Sequence, residues 1–424
     1  GQRCSALRLL CLHERIADAV IGMLAGAMAE LRVGDAADLA TDVGPLIDAP
    51  AQAGIARHVE RLLRSARLVA ATPRGAAGPT HQVPIAFEID AVQDLAEEVF
   101  GPVLHIVRWS GDVDALVDRI NALGYGLTLG VQTRIDGRAL RIADRARVGN
   151  VYVNRNMIGA VVGVQPFGGE GLSGTGPKAG GPHYLRRFGA DGDAAGAPWM
   201  AGARSDGDIA SGSAAPAASA AAQAAAPDVD TLPTGPWQAW SLEERCAWLD
   251  RVQATALSAQ ARRQLAPQAL PGPTGESNEL RLHARGVVAC VSATAGPAAQ
   301  AQWLATLACG NTVRVLVPPP ARPQAEGVCG YWRQAGLPAD ALRIVDAPFD
   351  ATLAALADDP QVAGFACDAD LAAALRRRLS LRPGAIVPVV TGDPAGALWR
   401  LATEQTLTIN TAAAGGNAAL LAGA

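Results

Sequence analysis

The chain has 424 residues, about half of them hydrophobic, only 4% aromatic, and a formal net charge of -4. That length supports two or three domains with aliphatic cores, and the slight acidic balance supplies no basic field for nucleic acid. Charged, Gly or Pro residues interrupt every apolar run before membrane-spanning length, and seven scattered cysteines without CxxC or Cys/His spacing argue for a reducing, cytoplasmic setting with no structural metal.

The first stretch, Gly1-Gln2-Arg3-Cys4-Ser5-Ala6-Leu7-Arg8, sets a cysteine among small or polar neighbours. Apolar residues at helical spacing through Leu10, Ile16, Val20, Met23 and Met28 predict one or two amphipathic helices from Ala6 to about Arg32. On that reading the Cys4 sulfur lies near a helix N-terminus, where unpaired N–H groups and the helix dipole favour a thiolate. A free cysteine is otherwise a small buried hydrophobe, and the local sequence leaves both roles open.

Residues 41–48 read as a loop, and 51–66 as a helix with His58 and Arg61 on its polar side. A strand is expected at 67–71 and an alternating one at 84–90. Residues 97–108 join a short acidic helix to a further strand through Gly101-Pro102. A helix at 112–123 precedes a strand at 125–133, whose glycines imply close backbone approach. Helix 137–146, strand 149–154 and a glycine-rich stretch to Gly181 complete an α/β pattern with a largely parallel sheet. Val151 to Gln165 alternates like a projecting hairpin that could pair with another chain.

Residues 190–235 are rich in Ala, Gly and Ser and read as a linker. Beyond it come an amphipathic helix at 237–258, a turn-rich loop at 271–278, and a second α/β series. Its strands are expected at 286–292, 312–317, 341–345, 361–366 and 386–390, with helices at 297–309, 321–335, 350–357 and 369–379. The tail offers a strand from Thr406, a Gly-Gly turn and a short apolar end.

Three motifs then stand in order: Gly1-Gln-Arg-Cys4, Glu98-Val-Phe-Gly-Pro102, and Pro166-Phe-Gly-Gly169 with Ser173-Gly174. Together they resemble the nucleophile loop, the cofactor-contact motif and the late substrate-side loop of aldehyde dehydrogenases. Residues 149–182 and the terminal Asn410–Leu420 stretch are similar to one branch, the 1-pyrroline-5-carboxylate dehydrogenase half of bifunctional proline-utilization proteins. The resemblance covers nearly all of the chain except the linker. It implies a partial aldehyde dehydrogenase catalytic domain over 1–189 and a degenerate Rossmann-like α/β domain over 236–406. Residues 407–424 then form a C-terminal motif packing on a tunnel between active sites.

The resemblance also implies oxidation of L-glutamate γ-semialdehyde to L-glutamate with NAD. Cys4 is then the nucleophile; Ser5, Gly159, Ala160 and Phe167 meet the substrate; Glu98 and Phe100 hold the nicotinamide ribose. Read locally, Ser5 is equally a helix N-cap, Phe167 a core residue and Glu98 a helix-end surface carboxylate. Lys178, the only lysine of the chain, lies in a Gly/Pro-rich loop and is assigned no chemistry.

The family's dinucleotide-binding domain, general-base glutamate and oxyanion asparagine precede the nucleophile loop, so the chain reads as an incomplete portion, inactive alone. FAD is expected only in an upstream proline dehydrogenase domain of the same protein, and a homo-oligomer is expected. Arg285–Ser292 and Leu307–Val313 resemble the opening of the family's cofactor domain. No lysine follows, and Asp368 and Asp370 stand where a glycine-rich phosphate loop belongs, so this copy is expected to be cofactor-free and structural. The competing reading is a noncatalytic assembly module derived from an aldehyde dehydrogenase.

Overall fold

In the computed structural model the apolar run after Cys4 is a strand, β1 (Leu9–His13), and helix α1 (Glu14–Glu30) starts only after it. The expected helix from Ala6 is therefore corrected. Leu10 and Leu12 join a core with Ala17 and Met28, while Leu9 and Cys11 pack on an opposite core with Ile55 and Phe87. A strand covered on both faces reads as an unbroken apolar run, which here imitates a helix in sequence. The structure describes residues 1–75, 77–95, 97–188, 233, 235–346, 348–392 and 394–411. Their contacts form two units: Gly1–Gly124 with Gly137–Ala146, and Tyr125–Asp136 with the residues from Arg147 on.

In the first unit, α2 (Ala49–Ser65) is capped by Asp48, which accepts from the Ala51 N–H at 2.8 Å, with Pro50 in its first turn. Then come β2 (Arg67–Ala71), β3 (Ile85–Glu88), β4 (Val103–Trp109), α3 (Val113–Asn121) and α4 (Asp136–Arg145). The sheet runs β1-β4-β3-β2, with only β2 antiparallel. His58 is buried on α2 rather than on its polar side. The short acidic helix expected around Glu97 is absent: residues 97–102 have no regular structure, after a single 3-10 turn at Val92–Asp94. Pro102 disfavours helical geometry in the residue before it and leads directly into β4.

The second unit begins with β5 (Tyr125–Gly126), β6 (Thr128–Val131), β7 (Asn150–Val153) and β8 (Glu170–Gly171). Helices α5 (Leu242–Arg251) and α6 (Thr255–Leu265) replace the single helix expected at 237–258, broken at Gln253, whose φ is +64°. Strands β9 (Gln268–Leu270) and β10 (Glu276–Ala284) occupy and flank the expected 271–278 loop. Next come β11 (Val287–Val291), α7 (Pro297–Ala308), β12 (Thr312–Leu316), α8 (Arg322–Gln334) and β13 (Leu342–Ile344). They are followed by α9 (Phe349–Asp358), β14 (Val362–Cys367), α10 (Ala369–Leu379), β15 (Val389–Val390) and β16 (Ala402–Asn410).

Strands β13-β12-β11-β14-β15 form an open all-parallel sheet, the architecture that the sequence pattern predicts, and their order doubles back at β11. Its core departs from the aliphatic expectation, because Trp237, Trp240, Trp248, Trp303 and Trp332 pack together in it. A second sheet, β6-β7-β16-β10-β9, takes strands from both sides of residues 190–235. There β7 is an interior strand between β6 and β16, and no strand follows it before Gln165, so the projecting hairpin is not formed. Nearly all of the expected linker, and the terminal motif beyond Thr411, lie outside the described residues. Among the described residues no helix is long and apolar enough to cross a membrane, and no three His, Cys, Asp or Glu side chains gather as metal ligands.

Candidate active site

Cys4, Ser5, Glu98 and Phe100 belong to the first unit; Gly159, Ala160 and Phe167 belong to the second. Cys4 sits in a turn closed by the Ala6 N–H and the Arg3 carbonyl at 3.1 Å, with its thiol side exposed. No helix starts beside it, so the helix-dipole argument for its thiolate falls. Ser5 is buried and caps no helix. The Gly1 backbone lies against Gly101, whose carbonyl oxygen would be 2.4 Å from a Cβ at position 1; only glycine fits there.

Arg8, which the sequence did not single out, joins the two motifs of this unit. Its guanidinium donates to the Gly1 carbonyl, to the Arg3 carbonyl at 3.0 Å and to the Gly101 carbonyl at 3.2 Å. It also lies 4.7 Å from the centre of the Phe100 ring. Burial lowers the Arg8 pKa, while the charges of Glu98 and Cys4 act to raise it. One cation thus binds the nucleophile turn to the loop carrying Glu98 and Phe100. The fork of a guanidinium suits several convergent carbonyls, which a lysine could not serve at once.

A buried histidine pair supports Arg8 from behind. The His105 Nδ1 lies 2.9 Å from the Arg8 carbonyl, which can only accept, so His105 carries its proton there. Its Nε2 then accepts from the His58 Nε2–H at 2.8 Å, and the His58 Nδ1 accepts from Arg61 at 2.8 Å. The chain is satisfied with both rings neutral. Burial, then the neighbouring His105 and Arg61, pushes the His58 pKa down to about 4, and burial lowers that of His105.

In the second unit Gly159 adopts φ +83° in an exposed loop, a conformation that favours glycine. The loop is tied at Gln165, whose side-chain oxygen accepts from the Val161 N–H at 2.9 Å and whose amide donates to Glu276 and, at 3.3 Å, to Asn278. Arg155 pairs with the other Glu276 oxygen. Phe167 is half-buried, and its N–H and carbonyl exchange hydrogen bonds with Ala179 at 3.0 and 2.9 Å. Gly169 is required by contact: a Cβ there would lie 2.6 Å from the Ser173 side chain.

The aldehyde dehydrogenase family profile matches residues 1–190 and 252–368, a span that takes in both the nucleophile loop and the downstream sheet as far as β14. The chain belongs to the aldehyde dehydrogenase family. It is similar to the bifunctional protein PutA of Escherichia coli K12, 40% identical over 439 residues, covering 99% of this chain and 31% of that protein. It is also similar to the 1-pyrroline-5-carboxylate dehydrogenase of Geobacillus sp. WCH70, 36% identical over 187 residues, covering 44% of this chain and 36% of that protein. Among solved structures, proline utilization A from Corynebacterium freiburgense matches 97% of this chain and 36% of its own length, with a TM-score of 0.57 at 22% identity, a likeness of fold. The chain spans about a third of the length of the curated relatives that it matches from end to end. As an aldehyde dehydrogenase chain it keeps a cysteine exposed in a turn that backbone contacts hold in place.

Proposed function

We propose that the chain supplies the nucleophile and the substrate-side loops of an enzyme that oxidises L-glutamate γ-semialdehyde, the opened form of 1-pyrroline-5-carboxylate, to L-glutamate. The observation that carries this is the Arg8 bridge, which gathers the loops of Cys4, Glu98 and Phe100. The names of the two relatives support the substrate. The Cys4 sulfur adds to the aldehyde carbon, giving a thiohemiacetal; hydride loss leaves a thioester, and water then releases the acid and returns the thiol. The Cys4 backbone N–H stabilises the oxyanion that forms on addition. Within the second unit, Gly159 and Ala160 serve the substrate carboxylate and Phe167 its aliphatic chain; in the first, Ser5 stands beside the nucleophile as a carboxylate contact.

Glu98 and Phe100 fit the ribose of NAD. The carboxylate is exposed to accept from hydroxyls, and the ring, 40% exposed with Arg8 on it, offers the sugar a flat wall. When bound, NAD supplies the hydride acceptor. The bifunctional relatives support an FAD-bearing proline dehydrogenase domain in the whole protein. The protein is cytoplasmic and homo-oligomeric.

The downstream domain, 236–406, is structural and binds no dinucleotide. Asp368 stands at the N-terminal end of α10 without bonding its N–H groups and accepts instead from the Ala293 N–H at 2.8 Å, where its carboxylate repels a pyrophosphate. The domain keeps a reactive aldehyde from bulk water. The test is NAD reduction by the full-length natural protein with glutamate semialdehyde. Turnover that Cys4→Ser abolishes is expected; a wild type without turnover, together with a Cys4 that iodoacetamide does not alkylate when NAD is present, favours the noncatalytic assembly module instead.

A further inference from the structure

Lys178, the only lysine of the chain, is 2% exposed. Its ammonium donates to the Gly149 carbonyl, to the Asn150 Oδ1 at 2.7 Å and to the Gly168 carbonyl at 2.8 Å, so three protons meet three oxygens. Its backbone N–H donates to the Glu404 carboxylate at 2.5 Å. The other Glu404 oxygen meets the His183 Nδ1 at 2.8 Å, and the His183 ring stacks on Trp399 with centroids 5.2 Å apart. Burial pulls the Lys178 pKa down to about 7, while Glu404 and then Glu170 act to raise it.

The same loop is held at further points. The Pro166 carbonyl accepts from the Asn150 side chain and from the Thr406 hydroxyl, both at 2.9 Å. Arg285 reaches the Thr175 carbonyl at 3.4 Å and the Arg400 carbonyl at 3.2 Å. Gly149 lies so near the loop that a Cβ would come within 1.7 Å of the Gly168 oxygen. An apolar side chain of similar volume would fill the space of Lys178 without taking a charge from water. What it could not do is hold the carbonyl just before β7 and a loop carbonyl at one point.

We propose that Lys178 and Glu404 are positioning residues. The ammonium fixes the Gly168 carbonyl and the carboxylate fixes the Lys178 backbone, so strand β16 of the downstream region sets the placement of Phe167. The leverage is direct, because Phe167 exchanges both backbone hydrogen bonds with Ala179, the residue after Lys178. The effect on substrate rests on the proposed role of Phe167 beside the semialdehyde chain; the pinning of the loop does not.

The experiment uses the full-length natural protein with Lys178→Met, Glu404→Ala and Glu404→Gln. The first two raise KM for glutamate semialdehyde by about tenfold while KM for NAD stays within about twofold, since small displacements of a positioned wall are felt strongly. Glu404→Gln restores the wild-type KM, because its amide oxygen still accepts from the Lys178 backbone N–H and its nitrogen can donate to the His183 Nδ1 in the tautomer that carries the proton on Nε2. Acetylation of Lys178 by acetic anhydride, followed by peptide mass mapping, gives a readout independent of turnover, and Glu404→Ala accelerates it by about tenfold or more as the loop opens. Should Glu404→Ala fail to fold, Glu404→Asp keeps the charge, withdraws the reach and carries the same two expectations. An unchanged KM and an unchanged acetylation rate in a folded Ala or Asp variant overturn the proposal. A wild type that does not oxidise the semialdehyde overturns the functional reading instead, and acetylation alone then decides the pinning.

Discussion

The two loops that carry the candidate chemistry are anchored by opposite means. Gly1–Arg8 is gripped by a half-buried arginine whose bonds go to backbone carbonyls, with two uncharged histidines behind it. Pro166–Lys178 is gripped by a fully buried ammonium and a buried carboxylate. A clamp at the surface is screened by water and can loosen gradually, whereas a buried charge that loses its partners leaves a large desolvation term uncompensated. The nucleophile turn therefore has graded freedom, and the substrate-side loop is held almost all or none.

Substitutions can break or sharpen that contrast, and the largest effect belongs to Cys4 itself. Cys4→Ser is expected to lower turnover of the full-length protein by about three orders of magnitude or more without altering the melting temperature, read by NAD reduction and by calorimetry. Next is Gly149→Ala, which forces a Cβ onto the Gly168 oxygen. It is expected to destabilise the second unit by about 3 kcal/mol or more, measured by urea unfolding. Arg8→Ala is expected to act more mildly, lowering kcat/KM about 10- to 100-fold with little loss of stability. Arg8→Lys fails to restore activity, because one ammonium cannot span the Gly1, Arg3 and Gly101 carbonyls. An Arg8→Lys enzyme with wild-type kinetics would show that charge, and not the fork, matters.

The smallest effect concerns pH. His58 in the folded chain titrates at about 4, against about 6.5 when unfolded, so the folded state binds fewer protons between those values. Its contribution to stability is complete above about pH 6.5 and is lost as pH falls toward 4. The groups that face the pair are Arg61, itself near Glu97 at 4.0 Å, and the Arg8 carbonyl. His58→Gln keeps a donor toward His105 and an acceptor toward Arg61 but does not titrate. Thermal melts between pH 7 and 4 are expected to fall less steeply for this variant than for wild type.

The parallel sheet from β11 to β15 was legible because each strand is a short apolar run bounded by turns and separated from the next by a helical segment. Strand β1 was not, since covering both faces removes the alternation that distinguishes a strand from a helix. The Cys4 turn, Glu98 and Phe100 were singled out through motif order, and the structure gathers their loops within one unit. Lys178 was noticed as the only lysine and read as structural, whereas Arg8 and Glu404 escaped because backbone groups are prominent among their partners and leave no residue type to recognise. The pairing of β7 with β16 was equally silent, as Thr406 and Pro166, which it brings together, are 240 residues apart in sequence. The uniqueness of Lys178 was the signal that drew attention to it, and its partners were what the sequence could not supply.

The central place of β16 has a consequence for how the polypeptide is made. It lies between β7 and β10, parallel to one and antiparallel to the other, yet it is the last strand to leave the ribosome among the described residues. Until it emerges, β7 and β10 present unpaired edges, and the buried Lys178 lacks its Glu404 neighbour. Closing so long a loop late makes completion of this sheet a slow step of biogenesis, and a nascent chain stalled short of residue 402 is the species most exposed to aggregation and most in need of a chaperone.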